Sequence, residues 1–216
     1  MKKLIKQAIS KELTNFLYQY ILNKRNIASI LFRDKFFPDN RNEFFGYFKP
    51  DGMTQNSYKC YADLATETLM EKLKIVMENH TKLKLESTYS YLRVYEHGDK
   101  VHPHRDRHAC QISISLHLGG DTKWPFYIQE KKKNKIFNLN PGDMLIYDWT
   151  EKHWRNPYEG KNYAQIFMHY IDINDPITQS WALDKRPTIG LPKQYVKGRT
   201  KSLERGRIDN FCKRLT

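Results

Sequence analysis

A histidine-rich stretch with a single aspartate, KVHPHRDRHAC, runs from Lys100 to Cys110. Within it, His104-Arg105-Asp106 places an imidazole and a carboxylate two residues apart. In an extended chain, side chains two residues apart point to the same side. Both groups can therefore reach one ion, and the spacing predicts part of a metal site.

A further ligand has to come from a distant segment, and His153 in EKHWRNP follows the predicted strand MLIYDW. Two histidines and one carboxylate on one face are the ligands of non-haem Fe(II) centres, which keep positions open for substrate and oxygen. The candidate iron ligands are thus His104, Asp106 and His153. Without a metal, His104 and His153 would be polar residues at strand ends.

Two more histidines lie in the same stretch. His102 is also two residues from His104, and such a His-x-His pair would resemble the start of a cupin metal site. Cupin sites add a glutamate a few residues later, and none occurs between Val101 and Gln129. We therefore expect His102 and His108 at the rim of the site or behind its ligands.

The first part of the chain has helical periodicity. Apolar residues at helical spacing predict an amphipathic helix over residues 3–23 and a second helix over 60–79. Between them, residues 34–58 are rich in Pro, Gly, Asp and Asn, which is typical of loops with room for one short strand. These helices are expected to support whatever sheet holds the histidines.

After Lys84 the pattern changes to short β-branched and aromatic stretches bounded by turn residues. Six strand candidates follow: TYSYLRVYEHG, QISISLHLGG, WPFYIQE, KIFNLNPGD, MLIYDW and NYAQIFMHYID. Helices followed by strands indicate an α+β fold, with a β sandwich or barrel as its core. We expect one domain with N-terminal helices and loops (1–84), a β core (85–176) and a basic C-terminal extension (177–216) that wraps part of the core.

The composition is that of an ordinary globular protein, with 39% hydrophobic and 28% charged residues among 216. No stretch approaches the roughly 20 apolar residues of a membrane span. The start, MKKLIKQAISKEL, has too many interrupting charges for a secretory signal. Cys60, Cys110 and Cys212 have no paired spacing, which favours a reducing, cytoplasmic location over a disulfide framework.

The net charge of +13 is unevenly distributed along the chain. Between Lys185 and Thr216, ten Lys or Arg residues stand against two acidic ones. Such a tail binds an anionic partner, for example nucleic acid or an acidic protein, or only keeps the chain soluble. No recognised nucleic-acid-binding motif accompanies it in the sequence.

Taken in order, these motifs resemble a known family. Residues from about Thr88 to Asp172 resemble the core of Fe(II)/2-oxoglutarate-dependent oxygenases, in their prolyl-hydroxylase-like branch. The matching features are an aromatic strand ending at Tyr95 and Gly98, the pair His104 and Asp106, the alternating strand ISISLHL, the turn NPGD and the distal His153. The resemblance implies a double-stranded β-helix (jelly-roll, cupin-like) core with N-terminal supporting helices.

The resemblance also implies an activity. Fe(II) would be held by His104, Asp106 and His153, with 2-oxoglutarate and O2 as cosubstrates. The reaction would be hydroxylation of an unactivated C–H bond, with succinate and CO2 as co-products. The branch favours an amino-acid side chain, free or in a polypeptide, and the basic tail leaves a nucleic-acid substrate as an alternative. A non-catalytic metal-binding β-helix module and a zinc hydrolase with the same three ligands are the competing hypotheses.

The far carboxylate of 2-oxoglutarate needs a buried cation. The family places Arg or Lys at the start of the strand after the distal histidine, and Lys161 is the candidate nearest that position. Strand alternation puts Lys161, Tyr163, Gln165 and His169 on one face. Lys161 is therefore the first candidate and His169 the second, and an exposed surface position is the alternative for Lys161.

Three residues upstream compete for the same cosubstrate. Tyr95 matches the family tyrosine that hydrogen-bonds the cosubstrate near iron. Arg93 shares the face of Tyr95, and an inward arginine requires an anion, either the cosubstrate or an acid of the fold. His117 stands about where the family has an inward tyrosine at the far carboxylate, and a structural histidine within the barrel is its alternative.

Overall fold

The computed structural model describes residues 1–36, 41–42, 44–48, 50–51, 54, 57–131 and 133–193. Its helices are α1 (Lys11–Arg33) and α2 (Leu64–Thr81), with short 3₁₀ segments at His108–Cys110 and Gln179–Lys185. Its strands are β1 (Lys2–Ile5), β2 (Arg41–Asn42), β3 (Gly46–Tyr47), β4 (Tyr58–Tyr61), β5 (Leu85–Tyr95), β6 (Val101–His104), β7 (Ile112–Gly120), β8 (Phe126–Ile128), β9 (Lys135–Phe137), β10 (Met144–Asp148), β11 (His153–Arg155) and β12 (Tyr163–Asp172).

The described strands form two antiparallel sheets that enclose a cavity. The larger sheet has eight strands in the order β1-β10-β7-β12-β5-β4-β3-β2, and the smaller has four in the order β6-β11-β8-β9. This arrangement is a double-stranded β-helix with helices added, which confirms the predicted α+β class. All six strand candidates downstream of Lys84 are present as strands.

Alternation along the large sheet separates a core from a cavity. Ile114 and Leu116 on β7 belong to the main hydrophobic cluster, which includes Ile21 of α1 and Met77 of α2. Residues of opposite parity, such as Ser113, point to the other side. The helices therefore cover one face of the sheet, and the polar face is left for the interior of the β-helix.

The predicted first helix is wrong at its start. Lys2–Ile5 is an edge strand that pairs with β10, and α1 begins only after Ser10, whose side chain accepts a hydrogen bond from the Leu13 amide. Serine is a favoured N-cap because its oxygen satisfies a free amide of the first turn. The apolar residues before Ser10 follow helical spacing by coincidence and pack against the sheet instead.

The predicted division at residue 85 does not coincide with a division in the sheet. β1 pairs with β10, and β4 pairs with β5, so segments before residue 85 belong to the larger sheet. The N-terminal region is therefore part of the β core as well as its helical support. Among the described helices, none is both long and apolar enough to cross a membrane.

Residues 173–193 form a strap whose 3₁₀ segment contacts β5, β12 and the 3₁₀ turn before β7. Arg186 in this strap donates to Glu67 of α2 at 2.7 Å, and both side chains are buried. A buried ion pair of this kind is strongly destabilising to break, which fixes the strap in place. Asp184 of the strap binds Arg107 and Tyr61 at the cavity mouth. The rest of the predicted extension, residues 194–216, lies outside the described residues.

Candidate metal centre

Two short strands of the smaller sheet carry the predicted histidines. His104 ends β6 and His153 begins β11, and the two residues are direct partners across the strand pair. Nε2 of His104 lies 3.5 Å from Oδ1 of Asp106, and Nε2 of His153 lies 3.8 Å from the same oxygen. The structure therefore brings together all three predicted ligands.

Backbone hydrogen bonds fix which nitrogen of each ring is available. Nδ1 of His104 lies 2.8 Å from the carbonyl of His102, and Nδ1 of His153 lies 2.8 Å from the carbonyl of Glu151. A carbonyl oxygen only accepts, so in each neutral ring Nδ1 carries the proton and Nε2 carries a lone pair. Two nitrogen lone pairs and one carboxylate oxygen thus converge, and a cation placed between them would relieve their repulsion.

Electrostatics agree with a cation at this point. Burial would raise the pKa of Asp106, but hydrogen bonding to His104 and the nearby histidines lower it to about 2. Burial lowers the pKa of His153. Burial also acts to lower the pKa of His104, and the Asp106 carboxylate overcomes this and raises it. The centre therefore offers an ionised carboxylate that favours a positive charge beside it, and two histidines with one carboxylate are a set that suits Fe(II).

Ser113 orients the carboxylate from behind. Its hydroxyl donates to Oδ2 of Asp106 at 3.0 Å, which leaves Oδ1 directed at the two histidines. Outer partners of this kind hold a ligand in its binding orientation, and their loss typically lowers metal affinity 10- to 100-fold.

We expect Ser113→Ala to weaken Fe(II) binding by roughly 10- to 100-fold while the protein stays folded. Anaerobic titration of the apoprotein with Fe(II) measures this, and Ser87→Ala, at another buried serine, is the matched control. Equal affinities for Ser113→Ala and the native chain would show that the hydroxyl does not position Asp106.

His102 and His108 lie outside the convergent group. His102 is exposed and contributes only its backbone carbonyl to His104. His108 is exposed and packs on Trp149, with ring centroids 4.6 Å apart. These positions match the expectation of rim and supporting roles.

A cavity of about 450 Å³ adjoins the three ligands. Tyrosines line much of its wall, together with several arginines. The aromatic members are Tyr47, Tyr61, Tyr89, Tyr91, Tyr95, Phe126, Tyr147 and Phe167, and the basic members are Arg93, Arg105, Arg107, Arg155 and Lys193. This volume accommodates a small cosubstrate together with a substrate group beside the metal position.

Arg155 is a functional candidate that the sequence patterns did not indicate. It lies on β11 two residues after His153, lines the same cavity and is 2% exposed. Its guanidinium donates to the carbonyl of Trp124 and to Oε1 of Gln165, and among the described residues it has no carboxylate partner. Side chains two residues apart on a strand share a face, so counting two residues on from His153 would have identified Arg155.

Unpartnered polar atoms surround this guanidinium. Within the described part of the chain, Nε of Arg155, Nδ1 of His117 and the hydroxyl of Tyr163 are buried without a hydrogen-bond partner. The ring of Tyr163 is near both other groups, 5.0 Å from the guanidinium carbon of Arg155 and 4.1 Å from the ring of His117. Buried polar groups are normally satisfied, so these atoms require partners such as ordered water or a polar ligand.

The other two cations considered for binding the cosubstrate, Lys161 and Arg93, differ in exposure and in their partners. Lys161 is exposed, its amide is bound by Asp121, and its side chain does not line the cavity. Arg93 points inward as predicted, but its guanidinium donates to Asp51 at 2.7 Å and to Thr54 at 2.7 Å. Arg93 therefore already has a carboxylate partner, whereas Arg155 has none in the described structure.

Three predicted residues occupy different depths of the site. Tyr95 lines the cavity and packs edge-on against Trp124. His117 lies behind Tyr163, and burial lowers its pKa to about 3. His169 lines the cavity close to Asp106, with its Nδ1 2.9 Å from Oγ of Ser113, and burial lowers its pKa to about 4. A neutral His169 is therefore a poor partner for a carboxylate.

No protein-family model matches the chain, and no curated protein sequence matches it either. Solved structures do match. A prolyl-4-hydroxylase from Pseudomonas putida superimposes with a TM-score of 0.60 at 11% identity, covering 79% of this chain and 92% of that one. A prolyl hydroxylase from Trichoplax adhaerens, solved with a peptide fragment of hypoxia inducible factor, gives 0.56 at 12% identity, covering 79% and 83%.

The likeness extends beyond hydroxylases. The non-haem α-ketoglutarate-dependent epimerase SnoN from nogalamycin biosynthesis superimposes with a TM-score of 0.58 at 11% identity, covering 88% of this chain and 89% of that one. At such identities the likeness concerns the fold. The chain thus has the double-stranded β-helix fold found in Fe(II)/2-oxoglutarate oxygenases, including prolyl hydroxylases.

Proposed function

We propose that this protein is an Fe(II)/2-oxoglutarate-dependent oxygenase that hydroxylates an unactivated C–H bond. The observation that carries the proposal is the convergence of His104 and His153 on Asp106, at a cavity that Arg155 also lines. The fold shared with 2-oxoglutarate oxygenases supports the same conclusion. Iron, 2-oxoglutarate and O2 are the implied cofactor and cosubstrates.

Each part of the cavity has a role in this proposal. His104, Asp106 and His153 would hold Fe(II). When bound, iron and 2-oxoglutarate supply activated oxygen for the substrate, with succinate and CO2 as co-products. The chain excludes water with the aromatic wall around Tyr95, and it positions the groups that react.

We assign the far carboxylate of 2-oxoglutarate to Arg155. A buried guanidinium without a carboxylate is unfavourable, and a charge-assisted pair would satisfy it. Tyr163 and His117 hold further unpartnered polar atoms near it, but neither residue lines the cavity, so contact between His117 and the cosubstrate stays a prediction. Lys161 is not assigned this role because its side chain does not line the cavity.

Anaerobic addition of 2-oxoglutarate to the Fe(II) protein tests the proposal. A weak visible charge-transfer band is expected, followed in air by slow succinate formation without added substrate. A hydrolase with the same three ligands would require neither 2-oxoglutarate nor O2, and a non-catalytic module would form no succinate. Absence of both the band and succinate would refute the oxygenase assignment.

The structural neighbours and the cavity wall favour one substrate class. An amino-acid side chain, free or in a polypeptide, is favoured by the likeness to two prolyl hydroxylases, one of them bound to a peptide. The tyrosine-rich wall accepts an apolar ring or chain of that size. We propose this class as the first candidate.

One surface feature favours a nucleic-acid substrate as a second candidate. A basic cleft adjoins the cavity through Arg105, which lines both. Among the described residues, Lys131, Lys133 and Lys152 in this cleft form no ion pair, whereas Glu130 and Glu151 are bound by Lys2. Lys193 adds a further positive charge to the cavity lining. A phosphate backbone would complement these charges.

The contribution of the positively charged cleft to oligonucleotide binding can be measured with a charge-reversal variant. We expect the triple variant Lys131→Glu, Lys133→Glu, Lys152→Glu to weaken binding of a single-stranded oligonucleotide. The slope of log affinity against log salt should fall by about 2, because each lost phosphate contact contributes about 0.7. Fluorescence anisotropy across a salt series measures both effects.

The matched control reverses the same number of exposed charges on the helical side, with Lys11→Glu, Lys72→Glu and Lys84→Glu. This control should retain most of the affinity. If both triple variants lose affinity equally, the cleft has no special role. If polyglutamate displaces the oligonucleotide at equal charge concentration, the cleft binds acidic polypeptides instead.

A further inference from the structure

We propose that Asp106, Cys110 and His169 form a second metal position, suited to zinc, which shares Asp106 with the candidate iron site. One ligand atom from each of the three residues lies within 4.8 Å of the others. The inference goes beyond the proposed oxygenase activity, and its test requires no catalysis.

Strand pairing brings these residues together from separate segments. Cys110 ends the 3₁₀ turn before β7, and His169 lies on β12 directly opposite Ser113 of β7. Cys110 is 2% exposed and His169 is 5% exposed, yet both line the cavity. The group is thus enclosed by protein on one side and open to a further ligand or water on the other, as in zinc sites with three protein ligands.

The hydroxyl of Ser113 bears on the tautomer of His169. It has one proton and three neighbours: Oδ2 of Asp106 at 3.0 Å, the carbonyl of Cys110 at 3.1 Å and Nδ1 of His169 at 2.9 Å. The ionised carboxylate is the strongest acceptor of the three, and with the proton donated to it the hydroxyl oxygen accepts from Nδ1. In that arrangement Nε2 of His169 carries the lone pair, and it has no hydrogen-bond partner among the residues described.

The thiol of Cys110 has no role in the proposed oxygenase chemistry. Its side chain contacts the hydroxyl of Tyr89 at 3.1 Å, deep in the cavity wall. Thiolate sulfur prefers zinc and other soft or borderline ions, whereas a two-histidine, one-carboxylate set is typical of non-haem Fe(II). The two positions therefore differ in the metal that they select.

A shared carboxylate couples the two positions. If Asp106 binds zinc together with Cys110 and His169, it is less available to iron with His104 and His153. Coupling between two binding equilibria is reciprocal, so each metal would lower the affinity of the protein for the other. Zinc would then act as an inhibitor that binds beside the iron position and does not replace iron on its own histidines.

Cobalt(II) is the probe, because it binds zinc sites and reports a thiolate ligand by a near-ultraviolet charge-transfer band. Apoprotein is titrated anaerobically with Co(II). The native chain and His104→Ala should both develop the band, because His104 belongs only to the iron position. Cys110→Ser should lose the band and still bind Co(II) at the three iron ligands. His169→Gln should weaken formation of the band by at least about tenfold.

Cys60→Ser and Cys212→Ser are the controls, and both should retain the band. Loss of the band in either control with retention in Cys110→Ser would assign the thiolate elsewhere and overturn the proposal. The proposal would also be overturned if neither the native chain nor His104→Ala developed the band at saturating Co(II). Because His104→Ala lacks a complete iron site, a band in that variant supports the second position whether or not the native chain oxidises a substrate.

Discussion

Replacing Arg155 with glutamine should raise the dissociation constant for 2-oxoglutarate at least about 100-fold. The change removes the buried cation that is proposed to pair with the far carboxylate of 2-oxoglutarate. Leaving one partner of a buried ion pair alone costs about 3–5 kcal/mol. Each 1.4 kcal/mol corresponds to about a tenfold change in affinity. Titration of the anaerobic Fe(II) protein with 2-oxoglutarate, followed by the visible band, measures the constant directly.

Two other cations serve as comparisons for Arg155. Lys161→Gln should leave the dissociation constant within about twofold, because that side chain is exposed and lies outside the cavity. Arg93→Gln should act mainly on stability, because it leaves Asp51 without its guanidinium partner. Unchanged Fe(II) binding by Arg155→Gln would show that the site is still folded. If Lys161→Gln weakens 2-oxoglutarate binding and Arg155→Gln does not, the assignment is reversed.

The second large effect is expected at the metal. Asp106→Ala should lower Fe(II) affinity by roughly 1,000-fold or more, because it removes the only carboxylate of the three ligands and leaves a cation buried without a counter-charge. The variant should also lose the 2-oxoglutarate band, since the band needs iron. Fe(II) titration of the anaerobic apoprotein, with equilibrium dialysis as a second method, measures the affinity.

His102→Ala and His108→Ala are the comparisons for Asp106, because both histidines are exposed and lie in the same stretch. Each should change Fe(II) affinity far less than His104→Ala does. His102 contributes through its backbone carbonyl, which alanine retains. An effect of His102→Ala or His108→Ala equal to that of His104→Ala would mean that the ligand set is assigned incorrectly.

The sequence was sufficient for the fold class and for choosing the three residues that converge in the structure, His104, Asp106 and His153. Local pattern accounts for the long strands and for the His104–Asp106 pair, whereas His153 was chosen from the order of the motifs along the chain. Period-two alternation identifies the long strands, and an isolated His-x-Asp pair on an extended segment can face one ion. The strands that carry the histidines were missed. β6 and β11 are three or four residues long, and β6 contains Pro103, so neither has enough alternation to be recognised.

The proposed cationic partner of the cosubstrate, Arg155, can be reached by alternation from His153, but sequence alone could not prefer it to Lys161 because burial decides between them. Lys161 and Arg155 both lie close to His153 along the chain, and strand alternation is compatible with either. Asp121 binds the backbone amide of Lys161 and holds that turn at the surface. Contacts between residues so far apart in the chain leave no local signal.

The strap (residues 173–193) and β1 also affect when the metal centre and the cavity can form during synthesis. β1 is made first, but its partner β10 is made more than half a chain later. Asp184, which binds Arg107 and Tyr61 at the cavity mouth, emerges later still. Pairings between distant segments form slowly, and chains are made from the N-terminus. A nascent chain that has exposed His104 and Asp106 therefore lacks both His153 and a closed cavity, so the proposed metal centre is complete only after the later segments have been made.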